Sequence, residues 1–175
     1  HIDTFIISDD PLGRIIADAL IDKAKQGVEV RLIYDDVGSW RTPNSFFTRM
    51  RNEGIEVYAF MPVRFPAFTS RVNYRNHRKI CVIDGEVGFI GGMNIARRYV
   101  QGTPKQSWRD THVKLTGAAV YGLQRAFLVD WFFVSRELIT NHVYYPVSKV
   151  TENDSLIQIV TSSPTSLWPE IEQGY

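Results

Sequence analysis

A histidine and a lysine lie two residues apart in the stretch NYRNHRKICVIDGEVGFIGGMN, which runs from Asn73 to Asn94. Side chains alternate along a β-strand, so His77 and Lys79 would project from one face, roughly 6–7 Å apart. A neighbouring lysine lowers the proton affinity of a histidine by like-charge repulsion, which favours the neutral imidazole that a nucleophile needs. The same lysine can bind a phosphate or another oxyanion as a point charge. The pair therefore predicts nucleophilic chemistry on such an anion.

Two glycines and an asparagine end the same stretch. The Asp84-Gly85 pair predicts a hairpin turn, so the second strand returns beside the start of the first. Backbone N–H groups of Gly91 and Gly92 can approach an anion closely because glycine has no side chain, and Asn94 can donate from its amide. We expect this amide at the same rim of the sheet as the histidine. Asp84 has the opposite parity and is predicted to fix the turn rather than to contact a substrate.

The segment around the pair is rich in basic and aromatic side chains. No Asp or Glu occurs between Val57 and Ile83, and the basic residues of this window are Arg64, Arg71, Arg75, Arg78 and Lys79. The aromatic residues interleaved with them are Tyr58, Phe60, Phe65, Phe68 and Tyr74. This mixture favours an anionic, partly apolar partner such as a phospholipid or single-stranded nucleic acid, and makes Arg71 and Arg75 candidates for phosphate binding. The alternative is a solvated loop with its aromatic side chains in the core.

The elements that must position these residues follow an α/β pattern. Predicted strands cover residues 2–7, 28–34 and 55–60, and predicted helices begin at Pro11 and Pro43. This order argues for a parallel sheet covered by helices. A long loop over 61–76, the hairpin, a strand within RDTHVKLTG and a helix over 117–137 come next. A polar linker at 151–155 and a last strand at 156–160 are the final predicted features.

Composition narrows the function classes. The chain has 175 residues, a net charge of +1 and one cysteine. The charge gives no global reason to expect nucleic acid, and a single cysteine excludes an internal disulfide and a cysteine-built zinc site. No apolar run reaches the length of about 18 residues that a membrane-spanning helix needs. We expect no metal and no cofactor.

The pattern H-x-K-x-x-x-x-D formed by His77, Lys79 and Asp84, followed by GFIGGMN, resembles the HKD motif of the phospholipase D superfamily. The flanking stretches DPLGRIIADALIDKAKQGVEVRLIYDDVGS and WRDTHVKLTG extend the likeness to bacterial cardiolipin synthases along nearly the whole chain. The resemblance implies a phospholipase-D-like half with a mixed, mostly parallel sheet and helices on both faces. It implies a first catalytic domain at 1–150, with 151–175 as linker and first strand toward a second domain.

The resemblance also implies a two-step phosphatidyl transfer without metal. His77 would attack the phosphorus of one phosphatidylglycerol, release glycerol, and pass the phosphatidyl group from phosphohistidine to a second phosphatidylglycerol. Lys79 and Asn94 would hold the phosphoryl oxygens. A carboxylate should orient the imidazole, and Asp110 in WRDTH is the candidate. The alternative for Asp110 is an ion pair with Arg109 or another surface cation.

The motif is half of what the family uses, because its active sites combine two HKD motifs. None of the other histidines, His1, His112 and His142, starts a second motif, and His112 is expected to be an ordinary strand residue. Both ends of the chain look cut, and the N-terminal membrane helices of the family are absent. We therefore expect a fragment, inactive or barely active alone, of a protein at the bacterial cytoplasmic membrane. Its expected partners are phosphatidylglycerol, the membrane surface, and a second HKD domain or a homodimer mate.

Two other functions stay open. A homodimeric phosphodiesterase or nuclease would pair two copies of His77 across a symmetric interface. A non-catalytic module would bind anionic lipid headgroups through the region from Arg64 to Lys79 without using the histidine as a nucleophile. The acceptor alcohol is not indicated by the sequence.

Overall fold

The structure, a computed structural model, describes residues 1–63, 75–104, 107–148 and 155–162. In chain order, the strands of this part are β1 (Ile2–Thr4), β2 (Arg31–Asp35), β3 (Glu56–Phe60), β4 (Lys79–Ile83), β5 (Val87–Gly91) and β6 (His112–Thr116). The helices are α1 (Pro11–Lys25), α2 (Asn44–Asn52), α3 (Arg98–Gln101) and α4 (Ala119–Ser135), followed by a 3-10 turn at His142–Tyr144.

One mixed sheet contains all six of these strands, in the order β3-β2-β1-β4-β5-β6. Strands β1, β2 and β3 pair in parallel, whereas β4 is antiparallel to both β1 and β5, and β5 is antiparallel to β6. Four strands therefore run one way and two run the other. The predicted mixed α/β sheet is confirmed, but three of the five neighbouring pairs within the described strands are antiparallel, since the second half of the sheet is a meander.

Helices cover both faces of the sheet, as predicted. Leu32 and Tyr34 of β2 pack into a core shared with α1 and α2. Ile33, which has the opposite parity, packs against Phe127 and Trp131 of α4 on the other face. On that same face, α4 continues over β4–β6 through the cluster Ile80, Val82, Leu115, Val120 and Leu123.

The opposite face of β4, β5 and β6 is more open. Alternation places Cys81, Ile83, Phe89 and Lys114 on it, because Cys81 pairs with Phe89 and Phe89 with Lys114. The side chain of Ile83 is 48% exposed although it belongs to a central hairpin. This apolar, partly uncovered face lies beside the rim that carries Lys79.

Local signals explain the element boundaries closest to the site. Asp10 caps α1 by accepting from Gly13 N at 2.9 Å, and Pro11 is the first helical residue, as predicted. The β4–β5 turn places Asp84 and Gly85 at φ +53° and +69°, both in the left-handed region that a two-residue hairpin turn requires.

Two predicted strands differ from the structure. β1 ends at Thr4 rather than continuing to Ile7, because the Ile6 N–H donates to the Asn94 side chain instead of to a neighbouring strand. The segment 156–160 forms no strand; Ile159 packs instead against α4, where a Cβ added at Gly122 would contact it at 2.7 Å. Most of the predicted linker at 151–155 lies outside the described residues.

Candidate active site

The sequence-predicted residues converge where the parallel strands β1 and β2 end. The strand registers align Tyr34, Thr4 and Lys79 in one row across the sheet, and the β4–β5 register continues this row to Gly91. Gly91 in turn pairs with His112. Residues opposite one another in the row point to the same face of the sheet. Because Gly91 has no side chain, the row leaves an open gap beside the side chain of Lys79.

His77 and Lys79 are in direct contact, as their spacing predicts. The Lys79 ammonium lies 3.1 Å from His77 Nδ1 and donates to the His77 carbonyl oxygen at 2.7 Å. Lys79 is 7% exposed, whereas His77 is exposed. A buried cation thus supports a histidine that an outside molecule can reach.

Both members of the pair have shifted proton affinities. Burial, and then the charge of Lys79, lower the pKa of His77 below its ordinary value of 6.5, against an opposing effect of Asp35. Burial also lowers the pKa of Lys79, although Asp110 and Asp3 oppose this. The neutral imidazole is therefore the favoured form of His77 near neutral pH.

Phe5, just after β1, forms an apolar support for the pair that sequence reasoning missed. Its ring centroid lies 4.5 Å from that of His77 and 5.3 Å from Lys79 Nζ. A cation over an aromatic face is stabilised electrostatically, so Phe5 holds the ammonium while excluding water from one side. A phenylalanine in an apolar run carries no sign of such a contact with a residue 72 or 74 positions away.

Asn94 reaches the rim, but it also has a structural task. Its Oδ1 accepts from Ile6 N at 2.9 Å, and its Nδ2 donates to the Tyr99 hydroxyl at 2.7 Å. An amide nitrogen has two hydrogens, so one remains for a phosphate oxygen. Asn94 therefore ties the segment after β1 to the segment after β5.

Close packing explains why glycine occupies both positions at the end of β5. The Gly92 N–H donates to the Thr111 carbonyl at 2.9 Å, so its predicted donation to a phosphate is not formed in this structure and stays a prediction. A Cβ added at Gly92 would overlap the Asp110 carboxylate, and one at Gly91 would lie 2.7 Å from His112 Nδ1. Glycine is required here because β6 and the residues before it approach the β5 backbone.

Asp110 lies next to the site without touching His77. Its carboxylate accepts from Trp108 Nε1 at 3.4 Å and from Thr111 N at 3.1 Å, and it packs against Gly92. Its charge acts on Lys79 and on His112. The predicted contact of Asp110 with the imidazole is not formed in this state and stays a prediction.

The remaining predicted residues separate into three groups. Arg75 lies at the site, 3.5 Å from the buried carboxylate of Asp35. Asp84 lies in the exposed turn at the opposite end of β4 from Lys79, as expected for a turn residue rather than a substrate ligand. Arg71 falls outside the described residues.

His112 belongs to the rim, contrary to its expected role as an ordinary strand residue. It faces the gap over Gly91, and its Nδ1 is buried without a hydrogen-bond partner within the described part of the chain. Burial lowers its pKa, opposed by Asp110. Its position follows from strand register, which the sequence pattern did not specify.

Comparison with known proteins places this geometry in a family. The family "Cardiolipin synthase, PLD-like domain" matches residues 1–125. The chain belongs to this family. Curated relatives include the cardiolipin synthase of Alkalihalophilus pseudofirmus, 45% identical over 96% of this chain and 34% of that protein, and the major cardiolipin synthase ClsA of Bacillus subtilis, 42% identical over 100% and 37%. The chain thus spans about a third of the length of these bacterial relatives.

Two solved structures share the fold of this chain. A phospholipase D family member, Nuc from Salmonella typhimurium, matches with a TM-score of 0.53 at 16% identity, over 76% of this chain and 77% of that one. NucT from Helicobacter pylori matches with a TM-score of 0.52 at 17% identity, over 74% of each chain. At these identities the likeness establishes the fold of this chain.

None of the helices in the described part of the chain has the length and apolarity that crossing a membrane requires. Within the same residues, no three His, Cys, Asp or Glu side chains are grouped as metal ligands.

Proposed function

We propose that this chain provides half of an active site that makes cardiolipin by transferring a phosphatidyl group between two phosphatidylglycerol molecules. The observation that carries the proposal is the contact of Lys79 Nζ with His77 Nδ1 at 3.1 Å, at an exposed rim. Membership of the cardiolipin synthase family supplies the substrate class.

In the first step, an imidazole nitrogen of His77 attacks the phosphorus of phosphatidylglycerol. A P–N bond forms and the P–O bond to the glycerol headgroup breaks, so the electron pair leaves on the glycerol oxygen. Lys79 stabilises the charge that develops on the phosphoryl oxygens, and the free amide hydrogen of Asn94 adds a second donor. A general acid must protonate the departing glycerol.

The contact between the Lys79 ammonium and the His77 ring determines which ring nitrogen carries the hydrogen before this step. An ammonium can only donate, so Nδ1 of neutral His77 accepts from Lys79 and Nε2 carries the hydrogen. Attack through Nε2 requires that hydrogen to move to Nδ1. Lys79 must then release Nδ1 and turn to the phosphate, and a carboxylate must accept from the new Nδ1–H. Asp110 is the proposed acceptor, brought into contact when the substrate binds.

In the second step, the hydroxyl of another phosphatidylglycerol attacks the phosphohistidine. A new P–O bond forms, the P–N bond breaks, and the hydroxyl proton passes to a general base. The released imidazole is again neutral because burial and Lys79 keep its pKa low.

We propose that the general acid and base comes from a second HKD domain, in the full-length protein or in a second copy of this chain. The chain carries one such motif, and the open face of β4–β6 that bears Ile83 and Phe89 offers an apolar surface next to the site. The full-length protein would act at the bacterial cytoplasmic membrane on phosphatidylglycerol, without metal or cofactor, and this chain alone would be inactive or nearly so.

The test compares the full-length product of the gene with this 175-residue chain, using vesicles of phosphatidylglycerol and mass spectrometric measurement of cardiolipin and glycerol. Wild-type full-length protein should release one glycerol per cardiolipin, and His77→Gln should abolish both. His142→Gln is the matched control, because His142 is exposed in the 3-10 turn.

The outcomes separate the alternatives. Cardiolipin formation unaffected by His77→Gln would refute the mechanism. Cleavage of DNA by a dimer of this chain would favour a homodimeric phosphodiesterase. Vesicle binding without any product from the full-length protein would favour a lipid-binding module.

A further inference from the structure

Three buried carboxylates lie beneath the candidate active site, and the proposed mechanism uses none of them. Asp3 on β1, Asp35 at the end of β2 and Asp130 on α4 are 1%, 0% and 7% exposed. Carboxylates are seldom buried unless hydrogen bonds or charges compensate for lost hydration. Their partners are therefore informative.

All three carboxylates bind the same residue, Asn76, which immediately precedes His77. Asn76 Nδ2 lies 3.0 and 2.8 Å from the two oxygens of Asp3 and 3.2 Å from Asp130 Oδ2. The Asn76 backbone N–H donates to Asp35 Oδ2 at 3.0 Å. Asn76 is 3% exposed, so this is an interior clamp rather than a surface contact.

The clamp extends to Arg78, two residues further along the chain. The Arg78 N–H donates to Asn76 Oδ1 at 3.1 Å, and its guanidinium donates to Asp130 Oδ2 at 2.5 Å. Asn76 and Arg78 share one parity, and His77 and Lys79 share the other. Fixing the first two residues on the α4 side therefore directs the second two to the active-site side.

The two carboxyl groups around the Asn76 amide, Asp3 and Asp130, differ in proton affinity. Burial and the nearby Asp130 raise the pKa of Asp3 well above its ordinary value. Burial also raises the pKa of Asp130, but the guanidinium of Arg78 opposes this. When the pair holds one proton, Asp3 is therefore the carboxyl that keeps it, which limits the repulsion between two carboxylates around one amide.

We propose that Asn76 is the positioning residue of the HKD histidine, and that Asp3, Asp35 and Asp130 are the frame that holds it. Strand β2 contributes the carboxylate that binds the backbone of Asn76, and β1 and α4 contribute the two that bind its side chain, so the residue is held from three directions. The next residue is His77, and its imidazole is therefore held in contact with Lys79. Asn76 does not touch substrate; it acts through His77. The kinetic test of this inference rests on the proposed function, because it measures phosphatidyl transfer; the chemical modification test does not.

The central test exchanges donor and acceptor within the clamp. Asn76→Asp places a carboxylate against Asp3 and Asp130 and removes the amide donor. Asp3→Asn combined with Asn76→Asp restores one amide and one carboxyl at the same two positions.

In the full-length protein, we expect Asn76→Asp to lower kcat at least about tenfold, because small displacements of a reacting group are costly. KM for phosphatidylglycerol should change by less than about twofold, since bound substrate does not meet Asn76, and the double variant should recover most of kcat.

A second readout needs no substrate. Diethyl pyrocarbonate modifies neutral imidazole, so its rate at His77, measured by peptide mass spectrometry with His142 as internal reference, reports the pKa and accessibility of His77. In wild-type protein the midpoint of this rate should lie below 6.5. It should rise in Asn76→Asp, because His77 leaves Lys79 and gains a nearby negative charge, and should return in the double variant.

Each outcome bears on one claim. If Asn76→Asp lowers the melting temperature but leaves kcat and the modification midpoint unchanged, the residue is merely structural and the proposal is wrong. If kcat of the double variant is no higher than that of Asn76→Asp, the hydrogen bond between residues 76 and 3 does not position His77, and the proposal is again wrong. Should Asn76→Asp fail to fold, Asn76→Ser keeps one donor and one acceptor; unchanged kcat in that variant overturns the proposal. If wild-type protein makes no cardiolipin, the proposed function fails, while the modification rates still test the clamp.

Discussion

Lys79 is buried and donates to the backbone oxygen of His77, while the imidazole of His77 itself is exposed. The cation is therefore held beside the nucleophile before any substrate arrives. A turn of its side chain away from Nδ1 then brings it to the phosphoryl group, whose growing negative charge it stabilises. Burial is the larger cause of the lowered pKa of His77, and this contact adds to it because the charge of Lys79 opposes a second positive charge beside it.

Replacing Lys79 should raise the pKa of His77. In Lys79→Gln the like-charge repulsion disappears while burial, the larger cause, remains. The midpoint of diethyl pyrocarbonate modification at His77 should therefore move upward from its wild-type position below 6.5. Lys114→Gln, on exposed β6, is the matched control and should leave the midpoint unchanged. Equal midpoints in Lys79→Gln and wild-type protein would contradict the electrostatic role of Lys79.

The raised pKa of Asp3 predicts how the stability of the fold depends on pH, and it fixes the sign of that dependence. A carboxyl whose pKa is higher in the folded state contributes stability below its unfolded value, and that contribution is lost as pH rises through the folded value. Asp3→Asn mimics the protonated group permanently. Its stability relative to wild-type protein should therefore increase as pH rises from the ordinary value of 3.8 to the raised pKa of Asp3, by at most about 1.4 kcal/mol per pH unit for one proton. Urea unfolding of both proteins measures this difference, and parallel pH dependences would contradict it.

Gly92 and Asp110 should be coupled in stability. Gly92→Ala forces its Cβ against the Asp110 carboxylate, and we expect a loss of about 1–3 kcal/mol in the free energy of unfolding. Asp110→Ala removes the obstacle, so Gly92→Ala should cost much less in that background. A double-mutant cycle by urea unfolding measures the coupling. Additive losses would show that the close approach of these residues does not explain the glycine.

Asn94 combines two tasks that substitution can separate. Asn94→Asp keeps the acceptor for Ile6 N, whereas Asn94→Ala leaves this N–H without its partner and should lose about 1–2 kcal/mol of stability. Both variants should lose phosphatidyl transfer in the full-length protein, because the aspartate repels the phosphate and the alanine cannot donate to it. Wild-type rates in Asn94→Asp would exclude a role of the amide in phosphate binding.

Local patterns in the sequence predicted much of the fold and the centre of the site. Alternation placed His77 and Lys79 on one face, and Asp84-Gly85 predicted the turn that returns the chain to the same rim. Asp10 and Pro11 predicted the start of α1. Each of these signals acts over a few residues, which is why it can be read without knowing the tertiary structure.

The parts that escaped prediction depend on contacts between distant segments. Asn76 meets Asp3 across 73 residues and Asp130 across 54, and neither spacing carries a local signal. Gly92 looked like an anion-binding glycine, but the approach of Asp110 decides its role. The early end of β1 has the same origin, because Asn94 takes the N–H that would have continued the strand. Strand register and helix packing settle such questions, and both are properties of the whole chain.

The most direct test of the account is detection of the covalent intermediate on His77. Full-length protein is mixed with phosphatidylglycerol, quenched in alkali to preserve the P–N bond, digested and examined by mass spectrometry. We predict a phosphatidyl adduct on the peptide that contains His77, formed as fast as glycerol is released and absent from the peptide that contains His142. Glycerol release and cardiolipin formation with no adduct on His77, or with an adduct only on another histidine, would contradict the assignment of His77 as the nucleophile.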